Sequence, residues 1–471
     1  MKKYLKLMAL AAVAVVLAGC ASVNIDEAIS ATNNATGEFT AGKLVLSRTQ
    51  QQQQAREKLA QELLARPLSS DDAVQLALAN SPAVQTLLAQ SWADMAAANQ
   101  SGRIANPMFT FERMTFKDEL EIGRLLSFGL LDVLTLPKRH SMARSQVALA
   151  QVQLAANVVD QVTQVRQAWV RAVAAGQILE YAKKIQSSAQ ASAELARRMQ
   201  LAGNFNKLQR ARQQVFYADS TAQLAAAAHA RTAAREELIR QLGLTDMQAQ
   251  QLRLPDRLPD LPSEFRPSAS VSEAAAQQRL DIQLARGQLD MVGKSQGLNL
   301  LTSLVDVELG IRHDTVFDNA GGTKSNRNGY ELGIRLPIFD WGNTKRDALD
   351  AQTLAAANRY ESTVRNASSQ LRESYSAYRT AYDVARHYRD EIVPLRSAMA
   401  EENTLRYNGM LIGVFELLAD TRDQINSVMS AINTYQQFWL ADAALSASIT
   451  GKPISTAMMA PAASGGESAG H

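Results

Sequence analysis

The chain has one cysteine in 471 residues, Cys20, so no intramolecular disulfide can form and stability rests on packing. It also lacks a net charge once its first residues are set aside. Lys plus Arg number 49 against 46 Asp plus Glu, and removing Lys2, Lys3 and Lys6 leaves 46 against 46. No overall field draws it to nucleic acid. The apolar stretch Leu7 to Leu17 falls short of the roughly 20 residues that a membrane-spanning helix needs. Catalytic motifs are missing too. Gly293-Lys294-Ser295 looks like the end of a phosphate-binding loop, but Gly287 is one residue out of place and no strand precedes it. The histidines, His140, His229, His313, His387 and His471, have no ligand spacing. Met458, Met459 and His471 offer soft copper ligands in the tail and Met410 lies near a helix tip, a pattern that points to metal ions as one candidate cargo without forming a resident metal site. The expectation is a protein that is not an enzyme and has no cofactor or resident metal.

What is present begins with an address. A basic start, a short apolar run and small residues before Cys20 make residues 1–19 a secretory signal, removed on export. Leu17-Ala18-Gly19-Cys20 resembles the bacterial lipoprotein box. That resemblance implies an acylated Cys20 as the first mature residue and, with Ala21 rather than Asp following, sorting to the outer membrane. At about 0.8 kcal/mol per buried methylene, two or more acyl chains make a lasting anchor. Residues 20–68 are polar and irregular, with a glutamine tract from Gln50 to Gln54, and read as a lipid-anchored tether or outer wrap.

From Ser69 the chain repeats itself. Residues 69–250 form a first unit. Ser69 and the acids Asp71 and Asp72 open a helix, and Asn80-Ser81-Pro82 interrupts it. A sheet-like region follows from Met108 to Thr135, and Pro137 precedes a helix to about Leu201. Val158, Val162, Val165, Trp169, Ala172, Gly176 and Leu179 alternate steps of four and three along it, the spacing of a coiled coil. Gly203-Asn204 ends it, and a further helix runs from Lys207 to Leu242 before Gly243.

Residues 251–268 are a proline-rich link, and residues 269–451 form a second unit in the same order. It comprises a helix from about Ser272 to Gln296, a sheet-like region from Thr302 to Leu336, and a long helix from Asn343 to Arg406. A turn at Asn408-Gly409 and a helix from Phe415 to Ile449 complete it. Residues 452–471 read as a disordered tail. Each long helix would extend roughly 90 Å. The fold class expected is mainly α with a small β part.

In Val305 to Arg312 the odd residues are apolar and the even ones charged or glycine; Tyr330 to Leu336 has its apolar set on the even numbers. A soluble sheet on a protein core would show this pattern, and so would a membrane barrel with its apolar face in lipid. On the barrel reading Asp306, Glu308, Arg312, Glu331 and Arg335 face a wet lumen. Four strands are too few for a closed barrel, whose smallest bacterial form has about eight, so several chains would contribute. The loop Asp314 to Asn328 would be the outward-facing connection, with a short hairpin, Lys117-Asp118-Glu119, opposite it.

The lipoprotein box, the double repeat, the run Tyr330-Glu331-Leu332-Gly333-Ile334-Arg335-Leu336-Pro337-Ile338-Phe339-Asp340-Trp341-Gly342, and Tyr407-Asn408-Gly409 with Glu416-Leu417-Leu418 together resemble the TolC-type outer-membrane efflux family, as an outer-membrane factor lipoprotein. The resemblance covers about residues 68 to 451. It implies a homotrimer with one transmembrane β-barrel built from four strands per chain and a helical barrel of long coiled-coil helices crossing the periplasm. It also implies a periplasmic adaptor and an inner-membrane pump as partners, with outer-membrane lipid around the strands. Under it, the chain is the passive exit duct of a tripartite efflux or type I secretion system. Candidate gate residues are Val414, Phe415, Glu416 and Asp420, whose acids would equally complement a helix dipole. Candidate adaptor contacts at the tips are Leu201, Gly203, Leu405, Tyr407 and Gly409. The alternative is a lipid-anchored periplasmic coiled-coil adaptor or spacer without a pore. The sequence leaves the cargo open among drugs, metal ions, solvents and peptides.

Overall fold

A computed structural model describes residues 24–302, 306–318, 320–335 and 342–452. Cys20, the signal segment, Pro337 to Trp341 and the Met/His tail lie outside the described residues. The elements run α1 (Ile25–Thr40), α2 (Gln50–Leu64), α3 (Ser70–Asn80), α4 (Pro82–Ser101), β1 (Met108–Phe116), β2 (Glu119–Gly129), α5 (Leu130–Leu201), α6 (Lys207–Leu242) and α7 (Asp246–Gln251). The second half gives α8 (Ser268–Gln278), α9 (Leu280–Thr302), β3 (Asp306–Asp318), β4 (Thr323–Arg335), α10 (Asn343–His387), a π turn (Tyr388–Ile392), α11 (Val393–Asn408) and α12 (Val414–Ile449). They fall into two compact units. One holds the sheet within Ala89–Leu154 and Asp281–Arg365; the other is helical and takes in Ile29–Leu88, Ala155–Leu280 and the chain from Asn366.

Several boundaries depart from the sequence reading. The segment before Leu68 is not irregular: Thr49 caps α2 in a reciprocal box with Gln52, so the glutamine tract becomes the start of a helix. Ile29, Leu44, Leu46, Leu63, Leu64 and Leu68 are buried. Asn33 holds the connecting strand by bonding Leu44 on both sides, at 2.9 and 3.2 Å. Helix α5 starts at Leu130, well before Pro137, which sits inside it. A proline in a helix interior costs about 3 kcal/mol; here Arg139 pairs with Asp132 at 2.6 Å across the turns that hold it.

The expected single helix Ser272 to Gln296 is two helices, because Arg279 is extended and the Leu280 N–H bonds the Thr450 carbonyl at 2.9 Å. The first unit breaks at the matching place, Ser81, where Pro82 announces it. The second break is imposed by a tertiary contact and leaves no local mark.

Corresponding hydrogen bonds tie each unit's coil to the residue two places before its first short helix. Trp169 Nε1 donates to the Leu68 carbonyl at 2.8 Å, and Tyr375 Oη to the Arg266 carbonyl at 3.1 Å. From Trp169 the left-handed turn residue at the helix tip, Gly203, is 34 positions away; from Tyr375 its counterpart, Met410, is 35 away. The additional residue is absorbed in the π turn, which interrupts the helix expected from Asn343 to Arg406.

The proline-rich link is a strap held by aromatic groups. Tyr382 Oη donates to the Pro262 and Ser263 carbonyls at 3.2 and 3.1 Å, Trp439 Nε1 to that of Pro259 at 3.1 Å, and the Arg266 N–H bonds Tyr378 Oη at 3.2 Å. Beneath it Leu261, Tyr378, Tyr382, Phe438 and Leu445 form a core. Asp442 lies beside that core, 3.0 Å from Arg266. Burial raises its carboxyl pKa, against the opposing pull of Arg266 and Arg166.

An acid whose folded pKa exceeds its unfolded value, near 4, favours the folded state when protonated. Its contribution is complete below that unfolded value and is lost as pH rises through the folded pKa. The thermal midpoint of the native protein relative to Asp442→Asn should therefore fall from pH 4 upward. A difference that stays level or rises would contradict this.

Candidate pore-forming sheet and helix tips

The sheet is antiparallel in the order β1-β2-β3-β4. Glu119 pairs with Asp318, so the turns after Phe116 and after Asp318 lie at one end of the sheet, not at opposite ends. The second is also much shorter than the expected loop Asp314 to Asn328, because pairing continues out to Asp318 and Thr323. The chain enters and leaves each hairpin at the other end, where the helices begin.

Continuous pairing without a bulge fixes which residues share a face. One face carries Phe109, Leu126, Ile311 and Tyr330 in a single row, followed by Phe128, Leu309 and Leu332, then Val307 and Ile334. Phe109, Ile311, Tyr330, Leu332 and Ile334 are exposed, Tyr330 by 88%. The other face carries Glu112, Glu121, Glu308, Arg312, Asp314 and Glu331, and the register positions of Asp306 and Arg335, which pair with each other, belong to the same set. All five residues expected to face a lumen thus share one face.

Arg312 of β3 reaches across β2 to Glu112 of β1 at 3.1 Å and pairs with Asp314 of its own strand at 2.9 Å, and Gly123 leaves room for it. Every glycine in the strands sits on this face. It is the crowded side: a Cβ at Gly310 would lie 2.8 Å from Leu125 Cδ1. Among the described residues strands β1 and β4 are edges without a partner, which in lipid would leave backbone groups unsatisfied.

At the tips, Gly203 is left-handed at φ 79° and its turn closes through Gly203 N–H to Gln200 O and Asn204 N–H to Met199 O. Asn206 then caps α6 in a reciprocal box with Gln209. Gly409, expected to serve the other turn, is right-handed at φ −79°; Met410 takes the left-handed position at φ 60°. A non-glycine residue there costs about 1–2 kcal/mol. Met410→Gly should slow hydrogen exchange of the Leu411 amide, which bonds the Arg406 carbonyl, by about fivefold for a net gain of roughly 1 kcal/mol. Faster exchange would refute the strain.

The gate candidates separate. Phe415 stacks on Phe205 with ring centroids 4.7 Å apart, joining the two tips. Glu416 is exposed, whereas Asp420 accepts a hydrogen bond from Asn403 of α11 and is committed to the helix pair. Val414 is half-buried at the start of α12. Of the adaptor-contact candidates, Leu201, Leu405 and Tyr407 are exposed, and so are Met410 and Leu411, which the sequence reading did not single out for contact. Arg197 and Arg198 both pair with Glu194 at 2.8 Å. Their hydrogen bonds lower the Glu194 pKa to about 2. Among the described residues no cluster of His, Cys, Asp or Glu has the geometry to hold a metal, and no helix is long and apolar enough to cross a membrane.

Long paired helices and a four-stranded sheet with one apolar and one charged face define the fold of TolC-type outer-membrane channels. The CmeC outer membrane channel of Campylobacter jejuni superposes with a TM-score of 0.67 at 14% identity, over 87% of this chain and 89% of that one. A membrane protein from Pseudomonas aeruginosa gives 0.66 at 19% identity, over 83% and 93%. The open state of the MtrE outer membrane channel of Neisseria gonorrhoeae gives 0.62 at 17%, over 84% and 89%. No protein-family model and no curated protein sequence matches the chain.

Proposed function

We propose that this chain is one protomer of a homotrimeric outer-membrane channel, anchored through acyl chains on Cys20. It is a passive exit duct for cargo that an inner-membrane pump delivers through a periplasmic adaptor. The observation that carries the reading is the division of the sheet: an apolar band across the helix-side half of one face, acids only on the opposite face, and, among the described residues, two open edges. Such a sheet is stable in lipid when neighbouring copies satisfy its edges and its charges line water. The likeness of fold to CmeC and MtrE, both described as outer membrane channels, supports it. A coiled-coil spacer would have no use for an uncovered apolar sheet face.

On this reading the tips shut the tube. The Phe205–Phe415 stack holds the two hairpins of one chain together, and Glu416, exposed beside it, is the acid free to act on permeating cations. Leu201, Leu405, Tyr407, Met410 and Leu411 offer an apolar end to the adaptor. The test is the mass of the mature protein extracted from outer membranes in mild detergent. Three chains per particle support the duct; a single chain released from the membrane by removing its acyl groups would leave the spacer.

A further inference from the structure

The apolar face of the sheet is not uniform along its length. Beyond the row of Phe109, Leu126, Ile311 and Tyr330, toward the two hairpin turns, the same face carries Arg113, Arg124, His313 and Lys324. It carries no acid anywhere: every Asp and Glu of the four strands falls on the other face. Arg124 and His313 are directly opposite each other, and Arg113 is one strand over and one row on. Such diagonal neighbours lie roughly 7–8 Å apart. Arg113 and Lys324 are exposed. Among the described residues Arg124 Nη1 donates to the neutral Thr315 Oγ1, at 3.3 Å, and Lys324 Nζ lies 5.3 Å from the centre of the Phe317 ring directly across. Arg113 and Arg124 are thus neighbours at the border of the apolar band, Lys324 stands on the opposite edge strand one row nearer the turns, and no acid of the described strands shares their face.

We infer that Arg113, Arg124 and Lys324 form a binding site for the phosphate groups of membrane lipid at the hairpin end of the barrel. The inference rests on the pore reading, which places this face in lipid. Charge complementarity selects the occupant. A zwitterionic headgroup brings its own cation, whereas a lipid with exposed phosphates supplies what three cations without acids lack. Guanidinium groups bind phosphate oxygens in a two-pronged geometry, and the apolar rows below receive the acyl chains of the same molecule.

The test uses the full mature protein in neutral detergent, incubated with diphosphorylated lipid A or with the same lipid stripped of its phosphates, and read by native mass spectrometry. The native protein should retain the phosphorylated lipid and not the stripped one. Replacing Arg113, Arg124 and Lys324 together by glutamine should weaken retention roughly a hundredfold, since each basic residue near an anionic surface contributes about fivefold. Arg113→Lys with Arg124→Lys, which keeps the charge but not the fork, should retain clearly more than the glutamine variant and less than the native protein, which separates lost charge from lost fold. Equal retention by the glutamine variant, or displacement of the lipid by inorganic phosphate, would overturn the assignment. Bilayer conductance of the same preparations distinguishes the failures: a conducting trimer without phosphate-dependent retention refutes this site alone, and a non-conducting monomer refutes the pore and the site together.

Discussion

Leu332→Arg should abolish assembly in the membrane, while Glu331→Arg, one residue away, should leave it nearly intact. Leu332 sits in the exposed apolar row with Leu309 and Phe128, whereas Glu331 faces the crowded charged side opposite Gly310. An arginine on the lipid face of a barrel costs about 2–4 kcal/mol near the bilayer midplane, and three copies in the proposed trimer would bring this to roughly 6–12 kcal/mol. On the face proposed to line the lumen the same side chain would lie beside Glu308 in water and should cost about 0.5 kcal/mol or less. The measurement is the yield of trimer in the outer-membrane fraction. Equal tolerance of both substitutions would mean that the apolar face is not in lipid, and the reverse order would mean that the faces have been assigned backwards.

Gly243→Ala should be the most damaging single methyl group in the helical unit. Gly243 ends α6 at φ 65°, a conformation that costs a side-chain-bearing residue about 1–2 kcal/mol. A Cβ there would also stand 2.5 Å from Pro82 Cδ and 2.7 Å from Ser81 Cα, a ring atom and a backbone atom that cannot swing aside. Overpacking of this kind adds about 1–3 kcal/mol. Asn80 Nδ2, which bonds the Gly243 carbonyl at 3.0 Å, would be displaced as well. Gly203→Ala supplies the comparison, since Gly203 has a similar φ but open space around it. It should cost only the backbone strain. Thermal midpoints of the two variants should differ clearly, with Gly243→Ala much the lower; similar losses would mean that the packing of α6 against the Ser81-Pro82 break is loose.

The sequence was informative where a local rule and the tertiary structure agree. The alternation of Val307, Leu309 and Ile311 against Leu332 and Ile334 survived intact because a strand's period fixes both faces at once. Gly203 and Gly243 end their helices as glycine ends helices generally. It was silent where the cause lies elsewhere in the chain. The break at Arg279 is set by Thr450, far away in sequence, and the π turn exists because the second unit carries one residue more between two fixed points. Met410 occupies a left-handed position that Gly409, its neighbour, would have filled more cheaply, so a search for glycine picks the wrong residue. The glutamine tract misled for a different reason: its amides look unpatterned, yet Thr49 and Gln52 form a capping box that composition alone does not reveal.

For the proposed gate, the sequence named Val414, Phe415, Glu416 and Asp420 alike and could not sort them. Asp420 and Glu416 are alike by spacing, and only the neighbouring helix distinguishes them, since Asn403 engages one and not the other. Phe205 was missed because a lone aromatic in a turn has no partner until the second turn is brought beside it.

The central claim is that this chain forms a pore, and the most direct measurement is single-channel conductance of the purified mature protein in a planar bilayer. Discrete, uniform steps are expected, abolished by Leu332→Arg and preserved by Glu331→Arg. A silent bilayer, from a protein that leaves the membrane once its acyl chains are removed, would contradict the account.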